Sequence, residues 1–352
     1  MNPDPGMQAA VEKANGDASL SKTIFVTGVA GFIGSHVAEA LLARGDSVVG
    51  LDNLNDYYSP VRKQANLEEI ARSAPKPSRF TFVRGDVRDR SLIAELFARY
   101  AFDAVVHLAA MAGVRVSIDD PYLYYDVNLV GTLILLDAAA GRLNMGVKRT
   151  PLAVFVFAST SSVYGNTQQI PFVETDSCDR PLAPYPASKR AAELLGHTYH
   201  HLYHLDFTAL RFFTVYGPRG RPDMMAYKVA DNIFFGEKVP LYNSGRMHRD
   251  WTYVDDIVQG VVSAVDRRLG YEVINIGRGE PVLLSDFVQT IEDLAGRKAN
   301  LEPASMPEAD IPYTRADITK ATRLLGYAPA ISVKEGVTRF WQWYERAVLR
   351  NH

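Results

Sequence analysis

Apolar and polar positions alternate along this chain with two different periods. Short aliphatic or aromatic runs stand at Ile24 to Val26, Ser47 to Leu51, Arg79 to Arg84, Ala104 to Ala110, Leu152 to Phe157 and Phe207 to Phe213. Such runs, bounded by glycine and small polar residues, predict buried strands. Between them apolar residues space out with helical period, predicting helices over Val37 to Arg44, Leu133 to Ala140, opened by Asn128 to Thr132, and Tyr185 to Tyr203. Repeated alternation of strand and helix argues for an α/β fold, a doubly wound parallel sheet covered on both faces. After Thr214 the rhythm breaks into short apolar runs with many prolines. It returns only at Val273 to Ile276, a strand, at Phe287 to Gly296, a helix, and at Ser332 to Leu349, whose amphipathic pattern assigns Trp341 and Trp343 to core packing. These breaks divide the chain into a leader at 1–21, a larger domain at 22–214 plus about 250–276, and a smaller, mostly C-terminal α/β substrate domain at about 215–249 plus 277–352.

The first strand runs into Thr27-Gly28-Val29-Ala30-Gly31-Phe32-Ile33-Gly34. Glycines three apart allow a tight turn at Gly28, close approach of a pyrophosphate at Gly31, and close packing of the helix at Gly34. Amides at the helix start then face an anion. The second strand ends in Asp52, where a carboxylate accepts hydrogen bonds from a ribose 2′-hydroxyl and repels a 2′-phosphate, so the expected cofactor is NAD. The sheet is thereby of Rossmann type. Phe32 and Ile33 in the turn, Asn53 after Asp52, Asp86 and Val87 after the third strand, and Leu108, Ala109 and Ala110 after the fourth complete the expected cofactor set. For Asp86 two readings stand, a contact to the adenine amino group or a turn or helix cap. The polar loop Asn53 to Pro60 is expected over the cofactor's adenosine half, and His107 as a satisfied histidine at a strand end.

Composition narrows the partners. With 38 basic and 40 acidic residues and a net charge of −2, the chain carries no electrostatic footprint for nucleic acid or an anionic membrane. A single cysteine, Cys178, excludes an internal disulfide framework and an all-cysteine metal site, and no metal is expected. Residues 1–21 lack an apolar signal core and read as a disordered leader, and nothing later is long and apolar enough to span a bilayer. A cytoplasmic location and a small-molecule substrate are the expectation.

The fifth strand delivers a hydroxyl cluster, Ser159-Thr160-Ser161-Ser162, at the edge where ligands of such sheets lie. Tyr185 and Lys189 follow on one helical face, a spacing at which an ammonium lowers a phenol's pKa and holds a ribose hydroxyl. Together with the glycine turn and Asp52, these residues resemble the extended short-chain dehydrogenase/reductase superfamily, and within it the nucleotide-sugar epimerase/dehydratase group. The resemblance covers almost everything after the leader. It implies Tyr185 as base, Lys189 as its electrostatic partner and Thr160 as the hydroxyl that shares the proton with the sugar.

Finer motifs look like those of UDP-glucuronate 4-epimerases: Asp52 to Tyr58, Ala112 to Arg115, Arg211 to Met224 and Arg249 to Ile257. That resemblance implies a UDP-sugar substrate, Arg249 on the UDP phosphates, Arg115 in the substrate site, and Ser161, Ser162, Thr214 and Arg221 around the sugar's carboxylate. The bland alternative for each arginine is a surface ion pair. A homodimer through the helices at Asn128 to Ala140 and Ala187 to Tyr203 is also implied. Met111 stands where the group usually has Gln, and Val116 where an aromatic is common. Decarboxylases and 4,6-dehydratases of this group carry acids where this chain has Ser161-Ser162. The alternatives are a 4-epimerase for UDP-glucose or UDP-N-acetylhexosamine, a UDP-glucuronate decarboxylase and, in a different class, a non-catalytic NAD-binding regulator.

Overall fold

The structure, a computed structural model, describes residues 21–143, 152–236 and 238–348, so all but the last residue of the expected leader lies outside it. Strand β1 (Thr23–Thr27) has Ile24, Phe25 and Val26 fully buried, because helices cover both of its faces. Its side chains divide between two cores. Ile24 and Val26 face Val37 and Leu41 of helix α1 (Phe32–Arg44), while Phe25 faces the opposite cluster with Phe97 and Phe155. The chain continues as β2 (Ser47–Asp52), α2 (Pro60–Ser73), β3 (Phe80–Arg84), α3 (Arg90–Arg99), β4 (Ala104–His107), α4 (Gly131–Ala139), β5 (Val154–Thr160), α5 (Pro184–Tyr203) and β6 (Phe207–Phe212).

Next come β7 (Thr214–Tyr216), α6 (Met225–Phe235), β8 (Val239–Tyr242), β9 (Trp251–Tyr253), α7 (Val254–Val265) and β10 (Tyr271–Ile276). Seven strands form one parallel sheet in the order β10-β6-β5-β4-β1-β2-β3. All seven carboxyl ends therefore open on one edge, and the turns after β1, β4 and β5 meet there.

Two of the differences from the sequence expectation have a reason in the hydrogen bonding. The fifth strand, expected at Leu152 to Phe157, runs three residues further, because Ala158, Ser159 and Thr160 keep pairing with Leu210, Arg211 and Phe212 of β6. Polar side chains are tolerated there because Ser159 finds a buried carboxylate, Glu193, at 2.5 Å. The segment expected to open the helix at Asn128 is instead a wider π-type turn, Asp126–Val130, preceding α4. Asn128 is held there by Met111 and Ser188.

The remaining chain packs beside the open edge as α8 (Leu284–Ala295), β11 (Leu301–Ala304), α9 (Thr319–Leu325) and α10 (Val333–Ala347). Phe340, Trp341 and Tyr344 of α10 are buried as their spacing predicts, whereas Trp343 is only partly covered. Strand β11 of this region pairs with β8, and β7 pairs with β9 in a separate two-stranded sheet.

Asp250, just before β9, fastens it. Fully buried, its carboxylate accepts the amides of Arg278 at 2.7 Å and of Gly279 and Ala316 at 2.9 Å, and its own carbonyl accepts the amide of Thr214. Three chain segments thus converge on one residue. Asp250→Ala would strand three buried amides and is expected to destabilise the fold by about 3 kcal/mol or more, with Asp250→Asn losing less because one acceptor oxygen remains. Urea unfolding midpoints of the two variants check this.

Candidate functional site

Along the carboxyl edge of the sheet runs a cleft of about 400 Å³. One end is built by the glycine turn. Gly28 holds φ +70°, and a Cβ there would come within 2.7 Å of the Ala109 nitrogen. At Gly34 a Cβ would fall 2.0 Å from the Gly28 carbonyl, so α1 sits on the turn as closely as backbone allows. A Cβ at Gly31 meets only the Gly28 carbonyl, and Gly31 caps α1 with no side-chain partner. The first amides of α1 are thus left for a ligand, and no acidic side chain lies in that turn to compete.

Asp52 lines the same end, buried, accepting the amides of Ala30 at 3.1 Å and Leu54 at 2.9 Å. Burial raises its pKa while these amides and the nearby Lys63 oppose the rise. Asp86 lines the cleft and is also a turn acid. Hydrogen bonds from Arg88 chiefly hold its carboxyl down at about 2, and Asn53 adds another at 2.8 Å. Phe32, Ile33, Val87, Leu108, Ala109 and Ala110 complete the lining here. His107 is sealed between the hydroxyls of Thr27 and Thr132, and burial keeps its ring neutral.

The other end gathers Thr160, Ser161, Ser162, Tyr185, Lys189, Thr214 and Arg221. Thr160 ends β5 and accepts the Ser162 amide, capping the turn Ser161–Tyr164. Tyr185 begins α5, its amide bonded to the Ser117 hydroxyl and its ring edge-on to Tyr124. Lys189, one turn on, donates to the Ala158 carbonyl at 2.9 Å and stands over the Phe157 ring. Burial presses its pKa down to about 7, against the pull of Glu193. Burial also raises the Tyr185 phenol, and the two groups that pull it back are Arg221 and the Thr160 hydroxyl. The sequence paired this phenol with the Lys189 ammonium. In the structure Lys189 is turned toward the sheet backbone, and the charge of Arg221 also favours the phenolate. Arg221 itself is gripped by Asp223 through Nε at 2.9 Å and Nη2 at 2.7 Å.

Arg115 and Arg249 do not line this cleft. Arg115 pairs with Asp310 at 2.6 Å and lies over the Tyr242 ring at 4.0 Å. Arg249 donates to the His248 carbonyl, and burial lowers its pKa while Asp310 opposes and Arg115 reinforces that shift. The two arginines thus stand near one another around Asp310. Of the two departures from the group's pattern, buried Met111 and exposed Val116, neither lines the cleft.

Sequence reasoning missed Asn55, Tyr57, Tyr58, Lys63, Asp223 and Met224. The loop expected over the adenosine half carries Tyr57 to the reactive end instead, where its ring meets the Arg221 guanidinium at 5.6 Å and its hydroxyl lies close against Gly113. A pair of tyrosines inside an otherwise polar loop was the available signal. Lys63 is folded back onto Asn55 and the Tyr58 ring. Cys178 is buried, which pushes its thiol up to about 12, and it lies off the cleft. Among the described residues no group of His, Cys, Asp or Glu could hold a metal ion, and no helix is long and apolar enough to cross a membrane.

A family model described as GDP-mannose 4,6 dehydratase matches residues 25–340. The UDP-glucuronate 4-epimerase of Thermodesulfobacterium geofontis is 43% identical over 319 residues, spanning 90% of this chain and 94% of that protein. UDP-glucuronate 4-epimerase 4 of Arabidopsis thaliana is 40% identical over 339 residues, spanning 92% and 75%. The crystal structure of UDP-glucuronic acid 4-epimerase from Bacillus cereus, in complex with UDP-glucuronic acid and NAD, matches with a TM-score of 0.83 at 34% identity, covering 92% of this chain and 99% of that one. The chain belongs to the nucleotide-sugar epimerase/dehydratase family of the extended short-chain dehydrogenases/reductases, alongside the UDP-glucuronate 4-epimerases.

Proposed function

We propose that this protein is an NAD-dependent epimerase that interconverts UDP-glucuronate and UDP-galacturonate through a 4-keto sugar. The observation that carries the reading is the single cleft joining an uncapped glycine turn and Asp52 to a phenol, a lysine, four hydroxyls and an arginine. Gly28, Gly31, Gly34 and the α1 amides would hold the dinucleotide's pyrophosphate, Asp52 a ribose, and Lys189 the ribose next to the reacting ring. When bound, NAD supplies the acceptor and later the donor of the carbon-4 hydride. Tyr185 takes the carbon-4 hydroxyl proton, with Thr160 sharing it, and returns it after the keto sugar has presented its other face. Arg249, with Arg115, is assigned to the UDP phosphates. That role requires Arg115 to exchange its Asp310 partner for a phosphate.

In this reading 22–214 plus about 250–276 serve the cofactor, and about 215–249 plus 277–352 serve the UDP-sugar. A cytoplasmic homodimer is part of the proposal, supported by the exposed Leu133, Leu194 and Leu202 on α4 and α5. The absence of a carboxylate at Ser161-Ser162 disfavours dehydratase chemistry.

The deciding experiment is UDP-glucuronate with purified protein and no added cofactor, followed by proton NMR. UDP-galacturonate is the expected product, because the dinucleotide ends each cycle as it began and stays bound. Pentose, neutral hexose turnover alone, or no reaction even with added NAD would each overturn the reading.

Tyr185→Phe should cost at least about a thousandfold in kcat while UDP-sugar affinity stays near wild type, since it removes the base and little volume. Calorimetry beside the rate assay separates the two effects. A residual rate of a tenth would assign the base elsewhere.

Oxidation at carbon 4 makes the glucuronosyl group a β-keto acid, which loses carbon dioxide when the bond to the carboxylate stands perpendicular to the new carbonyl. Ser161, Ser162, Thr214 and Arg221 would hold the carboxylate near the carbonyl plane, one contact being charge-assisted. Thr214→Ala and Arg221→Ala are therefore expected to raise the share of UDP-4-keto-pentose relative to UDP-galacturonate, as measured by NMR. An unchanged ratio in both would limit these residues to binding.

A further inference from the structure

The arginine assigned to the sugar's carboxylate already carries an anion of its own. Asp223 takes the whole Nε–Nη2 edge of Arg221 in two parallel hydrogen bonds, the geometry that gives carboxylate and guanidinium their strongest contact. Arg221 and Lys228 hold the Asp223 carboxyl below its usual range despite burial, so it is ionised at neutral pH. The Tyr57 ring flanks the guanidinium, and the hydroxyls of Tyr57 and Tyr58 also sense both members of the pair. A ligand carboxylate therefore meets a cation whose charge is balanced and whose free donors are confined to the Nη1 side.

Epimerisation makes this arrangement consequential. The sugar must present both faces to the same reacting edge, so its carboxylate has to leave its contacts and remake them within each cycle. A cation without a second partner, its side chain only 21% exposed, would be left unpaired at that moment, which carries a cost. It would also grip the carboxylate in the ground state, which deepens binding without speeding the reaction. We propose that Asp223 is a specificity-determining residue of the sugar site: it keeps Arg221 paired when the sugar's carboxylate lets go, and it limits the charge with which the pocket selects an anionic sugar over a neutral one. This deepens the function proposed above and rests on Arg221 facing the carboxylate.

The test measures affinities of the purified holoenzyme for UDP-glucuronate and UDP-glucose by calorimetry, with kcat for UDP-glucuronate alongside. Asp223→Asn is expected to tighten UDP-glucuronate about fivefold, to leave UDP-glucose within about twofold, and to lower kcat by a similar factor. Asp223→Glu, which keeps the charge, should restore most of the wild-type selectivity and rate. The side chain is 38% exposed, so the substitution is expected to fold, and Asp223→Ser with a melting curve covers the case in which the amide is not tolerated. Loss of affinity for both sugars together, or no change in their ratio in either variant, would reduce Asp223 to a support for its loop. Arg221→Ala separates this from the underlying reading: if it leaves the ratio of the two affinities at the wild-type value, Arg221 does not face the carboxylate and the site assignment fails first.

Discussion

Glu193 and Arg211 are both sealed from solvent, and two hydrogen bonds of 2.9 and 2.8 Å between them fix helix α5 on strand β6. Placing this pair in the interior carries a desolvation cost of several kcal/mol per ion, which only good geometry and further hydrogen bonds offset. On the carboxylate those bonds are present, while Arg211 Nη1 keeps no hydrogen-bond partner. Glu193 also takes the Ser159 hydroxyl from β5 and Arg190 from its own helix, and Arg211 lies over the Tyr164 ring. One carboxylate thereby binds the helix that carries Tyr185 and Lys189 to the strand that ends in Thr160. The same charge opposes the loss of the Lys189 proton. Truncating either partner would disturb the spacing and the electrostatics of the reactive end together.

A second tie works at the other end of the cleft. Arg219, in the turn that leads to Arg221, binds Glu39 of α1 through both Nη atoms and His36 at 2.8 Å. Burial and Arg219 lower the His36 pKa to about 3, so its ring is neutral, and one tautomer satisfies both Arg219 and the Pro218 carbonyl. The helix whose first turn borders the cleft thus carries on its flank the turn that presents Arg221. The two halves of the cleft are aligned by His36, Glu39 and Arg219, none of which lines it.

What could be read from the sequence was local. The glycine turn, the acid closing β2, the small residues after β4 and the Tyr185–Lys189 spacing each sit inside a few consecutive residues, and each lies in the cleft. What could not be read depends on distant partners. Arg115, expected in the substrate site, is held in this structure by Asp310, nearly two hundred residues away. The carboxyl end of β5 looked too polar for a strand because Glu193, which satisfies Ser159, comes more than thirty residues later. Tyr57 was placed with its loop at the adenosine half because nothing local says that the loop turns toward Arg221. Asp223 is the instructive case. It stands two residues from Arg221, and an acid beside an arginine has no local signal that separates a cleft-side pair from a surface pair.

Burial acts against both proton-handling groups of the site, raising the phenol of Tyr185 and lowering the ammonium of Lys189. Each is restored by a different part of the chain. Thr160 on β5 and Arg221 in the turn after β7 favour the phenolate, and Glu193 on α5 favours the ammonium. The proton-handling pair is therefore tuned by the strand end, the substrate-side turn and the helix at once. Arg221 has two physical tasks, since the charge assigned to the sugar is also the charge that eases ionisation of the base. Its pairing with Asp223 bears on both, because a counter-ion that softens the grip on a carboxylate also softens the pull on a neighbouring phenol. In the proposed site the Arg221–Asp223 pair thus bears on binding selectivity and on base strength together.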